Sequence, residues 1–298
     1  MPRKKESEKN NKESKNKKGK REIHKEFNSF LSKNWIVEIK GSIPKNPKVL
    51  VGLPGIGNVA KIAADYLIDK NKLEPFLIIY GKYMPHSVIV NKDNVIEVPK
   101  IALYKLKNKK NEDIVIITGE SQPITEESNY EFSELLFKLF DNKIKEIVAF
   151  AGRGLNNVPA EPKVAVVAND KNYLKKVIKE LKKINKNVIY DEKEKAVVTI
   201  TGLAGIIPGV AKIYDIKASV WMADTFSDPL FLGFNGSYEL LRLLKDYWNL
   251  EIDLKELEEE SNKIKTIVQK GGDIIKRLWE EQNKKLKEEK ETLKKYYY

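Results

Sequence analysis

The sequence predicts an α/β fold: a three-layer domain with a mixed, mostly parallel sheet, followed by a C-terminal helical arm. Short apolar runs with the length of buried strands alternate with longer segments that repeat apolar residues at helical spacing. Two of the strand-to-helix junctions are rich in glycine, which is typical of the functional edge of an open α/β sheet. Elements in this order bury their apolar faces by placing helices on both sides of one sheet.

The first glycine-rich junction lies in residues 48–66, KVLVGLPGIGNVAKIAADY. A strand over 49–51 leads into a turn with Gly52, Gly55, Gly57 and Asn58, and apolar residues at 59, 62, 63 and 66 predict a helix. The turn either permits close packing of the backbone or cradles a phosphate at the helix N-terminus. It lacks the Gly-Lys-Ser/Thr ending of a P-loop and the glycine spacing of a dinucleotide fingerprint, so both interpretations stay open.

A similar junction recurs in residues 197–218, VVTITGLAGIIPGVAKIYDIKA. Its Gly-Leu-Ala-Gly-Ile, beginning at Gly202, resembles the Gly-Leu-Pro-Gly-Ile that begins at Gly52, and Val-Ala-Lys-Ile follows in both. Duplication and convergence of two strand–turn–helix units both explain the likeness. In either case we expect the two glycine turns at one edge of the sheet.

The remaining elements follow from apolar runs and their periodicity. Residues 146–150 form a strand that leads into Ala-Gly-Arg-Gly-Leu. In this segment Arg153 is either an anion clamp or a surface loop residue. Segments around the Lys-Asn-rich turn at 107–111 predict an antiparallel meander. The other predicted strands cover 35–39, 76–80, 87–91, 100–105, 113–118, 164–168, 197–200 and 218–223, and the other helices cover 125–140, 173–184 and 238–248.

Composition limits the classes of protein that fit. The chain has 298 residues, no cysteine and a net charge of +12, so disulfides, thiolate metal sites and cysteine nucleophiles are excluded. Residues 1–20 hold nine Lys or Arg and three Glu, and residues 1–26 are predicted to be a disordered basic tail. The remaining positive charge is expected to be spread among mixed-sign charges. No apolar run is long enough for a membrane span or resembles a signal peptide, so we expect a cytoplasmic protein.

Residues 27–252 are predicted to form the α/β domain and residues 253–298 the helical arm. Asp253 and Glu256 have the spacing of a capping box at the start of the arm. Residues 273–295, if helical, would extend about 35 Å. The chain ends in Tyr296, Tyr297 and Tyr298, which is either a frayed end or a recognition peptide, because tyrosine offers a large apolar surface with a polar tip. The spaced leucines of the arm favour contact with another subunit.

Residues with catalytic potential are few. His24 lies in the basic tail and His86 in a turn, and one structured histidine cannot build a histidine-rich metal site. Asp215, Asp224 and Asp228 are separate carboxylates at the ends of predicted elements, where helix and turn capping explains them. The sequence therefore predicts no catalytic set, no metal and no cofactor.

Taken in order, several motifs resemble the archaeal proteasome assembly chaperone family, the relatives of the second eukaryotic assembly chaperone. They are GLPGIGNVA from Gly52, VAVVAND from Val164, ITGLAGI from Ile200, the strand over 218–225 and LEIDLKEL from Leu250. The resemblance covers about residues 35–265. The segment DPLFLGF from Asp228 departs from the family, because it carries larger apolar residues than the family has there.

The resemblance implies a phosphorylase/hydrolase-like α/β fold and a non-enzymatic scaffold that forms homo-oligomers. It also implies docking on the α-ring of the proteasome core through a C-terminal hydrophobic–Tyr–any motif, which the last three residues satisfy. On this basis Tyr296 supplies an apolar contact, Tyr297 packs between adjacent α subunits, and the carboxylate of Tyr298 pairs with a lysine. Two alternatives remain: a nucleotide- or phosphate-binding enzyme that uses the glycine turns, and an RNA-associated protein that uses the basic tail.

Overall fold

A computed structural model describes residues 34–91, 93–189 and 199–270 of the chain. The strands are β1 (Trp35–Ile39), β2 (Lys48–Val51), β3 (Pro75–Gly81), β4 (Ile89–Val90), β5 (Ile96–Glu97), β6 (Lys100–Lys107), β7 (Asp113–Gly119), β8 (Glu146–Leu155), β9 (Val164–Ala168), β10 (Val188–Ile189) and β11 (Ala218–Phe226). The helices are α1 (Val59–Lys70), α2 (Glu126–Leu139), α3 (Lys171–Ile184), α4 (Leu203–Ala211), α5 (Phe234–Trp248) and α6 (Lys255–Gln269).

The main sheet is mixed, with the strand order β1-β3-β6-β7-β2-β8-β11-β9-β10. Its centre is parallel, because β2 pairs in parallel with both β7 and β8, and β8 pairs in parallel with β11. The strands β1, β3, β6 and β7 form an antiparallel flank, as the predicted meander requires. The central parallel strands therefore all end at the same edge of the sheet, called here the carboxyl edge. The glycine turns lie at this edge.

Helices cover both faces of the sheet, which confirms the predicted three-layer α/β class. Strand β2 demonstrates the alternation: Val49 and Val51 point into one core, and Leu50 points into the other. The first core is closed by α2 and α4, and the second by α1, α3, α5 and α6. Because β2 is buried on both sides, its sequence is continuously apolar rather than alternating.

Three predicted strands differ from the structure. Residues 87–91 do not extend the main sheet; β4 forms a separate hairpin with β5, since the Asn91 side chain accepts hydrogen bonds from the amides of Asp93 and Val95 and closes the turn. Strand β8 does not end at 150 but continues to Leu155, because it keeps its register with β11 along its whole length. The strand predicted over 197–200 falls partly outside the described residues, and Thr199 and Ile200 are not in a strand.

The predicted capping box at Asp253 is wrong. Helix α6 begins at Lys255 after Leu254, without a side-chain cap. Asp253 accepts a hydrogen bond from the amide of Lys255 at 2.9 Å, whereas Glu256 forms an ion pair with Lys70 of α1 and does not reach back. The start of the predicted arm thus packs on the domain, with Leu254 and Leu257 buried in the second core. The boundary between domain and arm stays a prediction.

None of the helices in the described ranges is long and apolar enough to cross a membrane. The basic tail (1–26) and the last 28 residues, including Tyr296, Tyr297 and Tyr298, lie outside the described residues.

Candidate functional site

A cleft of about 660 Å³ opens at the carboxyl edge, above the ends of β2 and β8. Three segments form its walls: the first glycine turn at 53–56, the end of β8 at 150–154, and residues 199–204 around the second glycine turn. We call this the glycine cleft. The sequence-based expectation that the two glycine turns share one edge therefore holds for Gly55 and Gly202, and Arg153 lines the same cleft.

The glycines of the first turn have different reasons to be glycine. Gly57 has φ of +60° and lies against Thr225, whose hydroxyl a Cβ at this position would overlap. A Cβ at Gly52 would overlap the Ala64 side chain of α1. Gly55, by contrast, is extended (φ −168°) and faces open space. Backbone strain and packing therefore require Gly57 and Gly52, but not Gly55, which borders the cleft.

Asn58 is also explained by the backbone. It adopts the left-handed conformation (φ 49°) directly before α1 and makes no side-chain cap, and asparagine tolerates this conformation better than most residues. Of the predicted loop, Gly55 and Arg153 line the cleft, whereas Gly52, Gly57 and Asn58 do not.

Gln122 joins the two glycine turns. Its Nε2 donates to the carbonyl oxygen of Pro54 at 2.6 Å, and its Oε1 accepts from the amide of Leu203 at 2.8 Å. The second bond satisfies one of the free N–H groups at the start of α4. Sequence reasoning missed this residue, since its partners lie 68 and 81 positions away and no local pattern marks such a contact.

Arg153 lies in β8 and not in a loop, and it is paired. Its Nε donates to Oδ1 of Asp224 at 2.6 Å, and Asp224 is almost fully buried, with 6% of its side chain exposed. The other oxygen of Asp224 accepts from the amide of Lys163 at 3.3 Å. Asp224 is thus the orienting partner of Arg153 rather than a cap. The pair has no net charge, which weakens Arg153 as an anion clamp.

The chemistry available in the glycine cleft suits binding more than catalysis. Its described lining offers backbone groups, the Thr199 and Thr201 hydroxyls, Gln122 and the paired Arg153. His86 is exposed in the turn between β3 and β4 and does not line it. Among the described residues no group of three His, Cys, Asp or Glu is arranged to hold a metal ion.

Helix α6 directs the chain toward the carboxyl edge. Lys265, near its end, donates to Glu161 at 2.6 Å, and Glu161 precedes β9, whose first residue Val164 pairs with Ala223 near the end of β11. The described chain therefore ends at the carboxyl edge of the sheet, where the glycine cleft also lies.

Solved structures resemble this fold. A proteasome activator from Pyrococcus furiosus, PbaB, superimposes with a TM-score of 0.72 at 23% identity, covering 80% of this chain and 99% of its own. PbaA from the same organism, an archaeal homolog of proteasome-assembly chaperone, has a TM-score of 0.61 at 18% identity and covers 86% and 98%.

Among curated sequences, an uncharacterized protein of Methanocaldococcus jannaschii is 25% identical over 257 residues, which is 85% of this chain and 92% of the relative. The profile of the PAC2 family matches residues 49–270. That range starts in β2, ends just after α6, and contains both glycine turns, Gln122 and the Arg153–Asp224 pair. With about three quarters of its length matched, the chain belongs to the PAC2 family.

Proposed function

We propose that this protein is a non-enzymatic assembly chaperone or activator that docks on the α-ring of the proteasome core through Tyr296, Tyr297 and Tyr298. The observation that carries the proposal is this C-terminal sequence on a chain of the PAC2 family, whose fold resembles a proteasome activator and an assembly-chaperone homolog. Such a role belongs in the cytoplasm.

Residues 271–298 follow helix α6, whose end lies at the carboxyl edge of the domain. Lys265, near the end of α6, forms an ion pair with Glu161 beside this edge. Tyrosine side chains bury a large area at low entropic cost, and a terminal carboxylate adds a charge that a lysine of the partner can pair with. A peptide of three residues binds weakly alone, so the docking requires several copies.

Several tails on one particle supply that multiplicity. We infer that the protein forms a homo-oligomer, in which the first bound tail raises the effective concentration of the others. The hairpin of β4 and β5 exposes apolar side chains, with Val95, Ile96 and Val98 at 53%, 68% and 55% exposure, and offers a surface for contact between copies. The masses of the wild type and of Ile96→Glu, measured by light scattering, test this point. The wild type is expected to be an oligomer and the Ile96→Glu variant to dissociate, whereas a monomeric wild type would contradict the inference.

The docking itself is tested with purified core particle and single tyrosine variants. Tyr297→Ala is expected to abolish co-elution with the core particle, whereas Tyr130→Ala, which removes a tyrosine of 53% exposure on α2, is expected to leave it unchanged. Equal loss in both variants would point to general surface adhesion, and equal retention would place the contact on the domain. The enzyme alternative rests on the glycine cleft, and the one arginine in its described lining, Arg153, is already paired with Asp224.

A further inference from the structure

Positive charge is concentrated on one helix of the described domain. Helix α3 holds six lysines and one glutamate, which gives +5, whereas the described residues together total +3. Everything described outside α3 therefore sums to −2. The sequence-based expectation that the surplus outside the tail is spread among mixed charges is wrong, because it ignored how the charges group on elements.

The six lysines share one exposed surface. Helix α3 buries Tyr173, Val177, Ile178 and Leu181 against the sheet, and all of its lysines are exposed. We call them the α3 lysine face: Lys171, Lys175, Lys176, Lys179, Lys182 and Lys183. Of these six lysines, only Lys183 has a carboxylate of the described residues within 4 Å, that of Glu180. The hydrogen bond from Lys183, with nearby lysine charges, holds the pKa of Glu180 below its ordinary value.

The α3 lysine face continues across a neighbouring cleft. Lys176 and Lys183 line this cleft of about 590 Å³ together with Lys48, Lys110, Lys145 and Lys217. At its floor, the buried carboxylate of Glu146 accepts hydrogen bonds from Tyr173, Tyr247 and Trp248. Lys48 and Lys145 share the Glu112 carboxylate, Lys217 lies 3.8 Å from Asp170, and Asp246 also lines the cleft. Much of the positive charge of the cleft is therefore compensated, and the surplus lies on α3.

We propose that the α3 lysine face binds the phosphate backbone of a nucleic acid duplex, independently of the N-terminal tail. A helix of 14 residues is about 21 Å long, and that length of B-DNA carries about twelve phosphates. A duplex segment as long as the helix therefore carries more phosphates than the helix has lysines, so each lysine can reach a phosphate. Lysine is a flexible point charge without the planar fork that reads base edges, so the contact is electrostatic and independent of sequence.

The test is fluorescence anisotropy of a labelled 20-base-pair duplex, as DNA and as RNA, with the full-length protein over a range of salt. The variant replaces Lys175, Lys176, Lys179 and Lys182 by glutamine, which has a similar helix propensity. The matched control replaces Lys40, Lys72, Lys82 and Lys138, four exposed lysines elsewhere on the domain. A third protein lacks residues 1–26. Thermal unfolding checks that each variant is folded.

The wild type, the control and the truncated protein are expected to bind, and the α3 variant is not. Where residual binding is measurable, the slope of log K against log salt for DNA should be less steep by about 3 to 4, because about 0.9 is lost per phosphate contact. Binding that disappears with the tail but survives the α3 substitutions would overturn the proposal. Absence of duplex binding by the wild type would also overturn it. So would displacement of the labelled duplex by polyglutamate as effectively as by unlabelled duplex, because this would indicate an acidic protein partner instead.

Discussion

Replacing Arg153 by methionine tests the Arg153–Asp224 pair at the glycine cleft. Methionine keeps much of the apolar stem but removes the charge, so the Asp224 carboxylate stays buried with only the amide of Lys163, 3.3 Å away, as a donor. An ionised carboxylate without its partner is costly in such a position. The variant is therefore expected to lose stability through Asp224 rather than through lost packing.

The magnitude follows from the burial of the two partners. Breaking a fully buried ion pair costs about 3 to 5 kcal/mol. The Asp224 side chain is 6% exposed, but that of Arg153 is 24% exposed, so water already compensates part of the loss and we expect about 2 to 3 kcal/mol. With a urea m-value of about 3 kcal/mol/M, the unfolding midpoint should fall by about 0.7 to 1 M.

The assay is urea unfolding monitored by tryptophan fluorescence, with Arg153→Met/Asp224→Asn as the second variant. Neutralising Asp224 removes the unpaired charge, so the double variant should regain about half of the lost stability. If Arg153→Met shifts the midpoint by less than about 0.2 M, or if the double variant is additively worse, the pair is not the buried orienting contact described above.

Three further perturbations test other contacts. Gly57→Ala should lower the unfolding free energy by about 1 to 3 kcal/mol because of its positive φ and its contact with Thr225. Gly55→Ala should change it by no more than about 0.5 kcal/mol. Equal effects of the two substitutions would contradict the different roles given to these glycines. Glu146→Ala leaves three donors unpaired and should cost about 3 to 5 kcal/mol in thermal or urea unfolding; a cost below 1 kcal/mol would refute this. Hydrogen bonds from Lys145 and then Lys48 lower the pKa of Glu112 to about 2. Its contribution is therefore present above pH 4.5 and lost as the pH falls toward 2. Glu112→Gln should be less stable than the wild type by about 1 to 3 kcal/mol at pH 7, and the two should converge near pH 2; parallel pH profiles would contradict the assignment.

Local periodicity predicted most of the fold. The apolar spacing of α3 and the buried runs of β2, β3 and β7 located these elements within a few residues, since packing selects helix and strand periods directly. The glycine turn was located because glycine marks backbone that other residues cannot adopt. The antiparallel flank followed from a turn rich in Asn and Lys.

What remained hidden depends on contacts between distant segments. Apolar residues at 87–91 predict a strand but not its partner, so the separate hairpin was missed. Glycines on both sides of Arg153 resemble a loop, yet pairing with β11 keeps this segment in the sheet. Gln122 and Asp224 act through partners 68 to 81 positions away, and no single-sequence pattern records such pairings.

The most direct test of the proposed function is the affinity of the purified proteasome core particle for the full-length protein and for residues 1–295, measured by biolayer interferometry with the core particle immobilised. Loss of the three tyrosines leaves the described domain intact, so any change reports the docking peptide alone. We expect saturable binding of the full-length protein and at least a hundredfold weaker binding of the shortened chain, because the multivalent tails are lost. Equal affinity of the two proteins would contradict it.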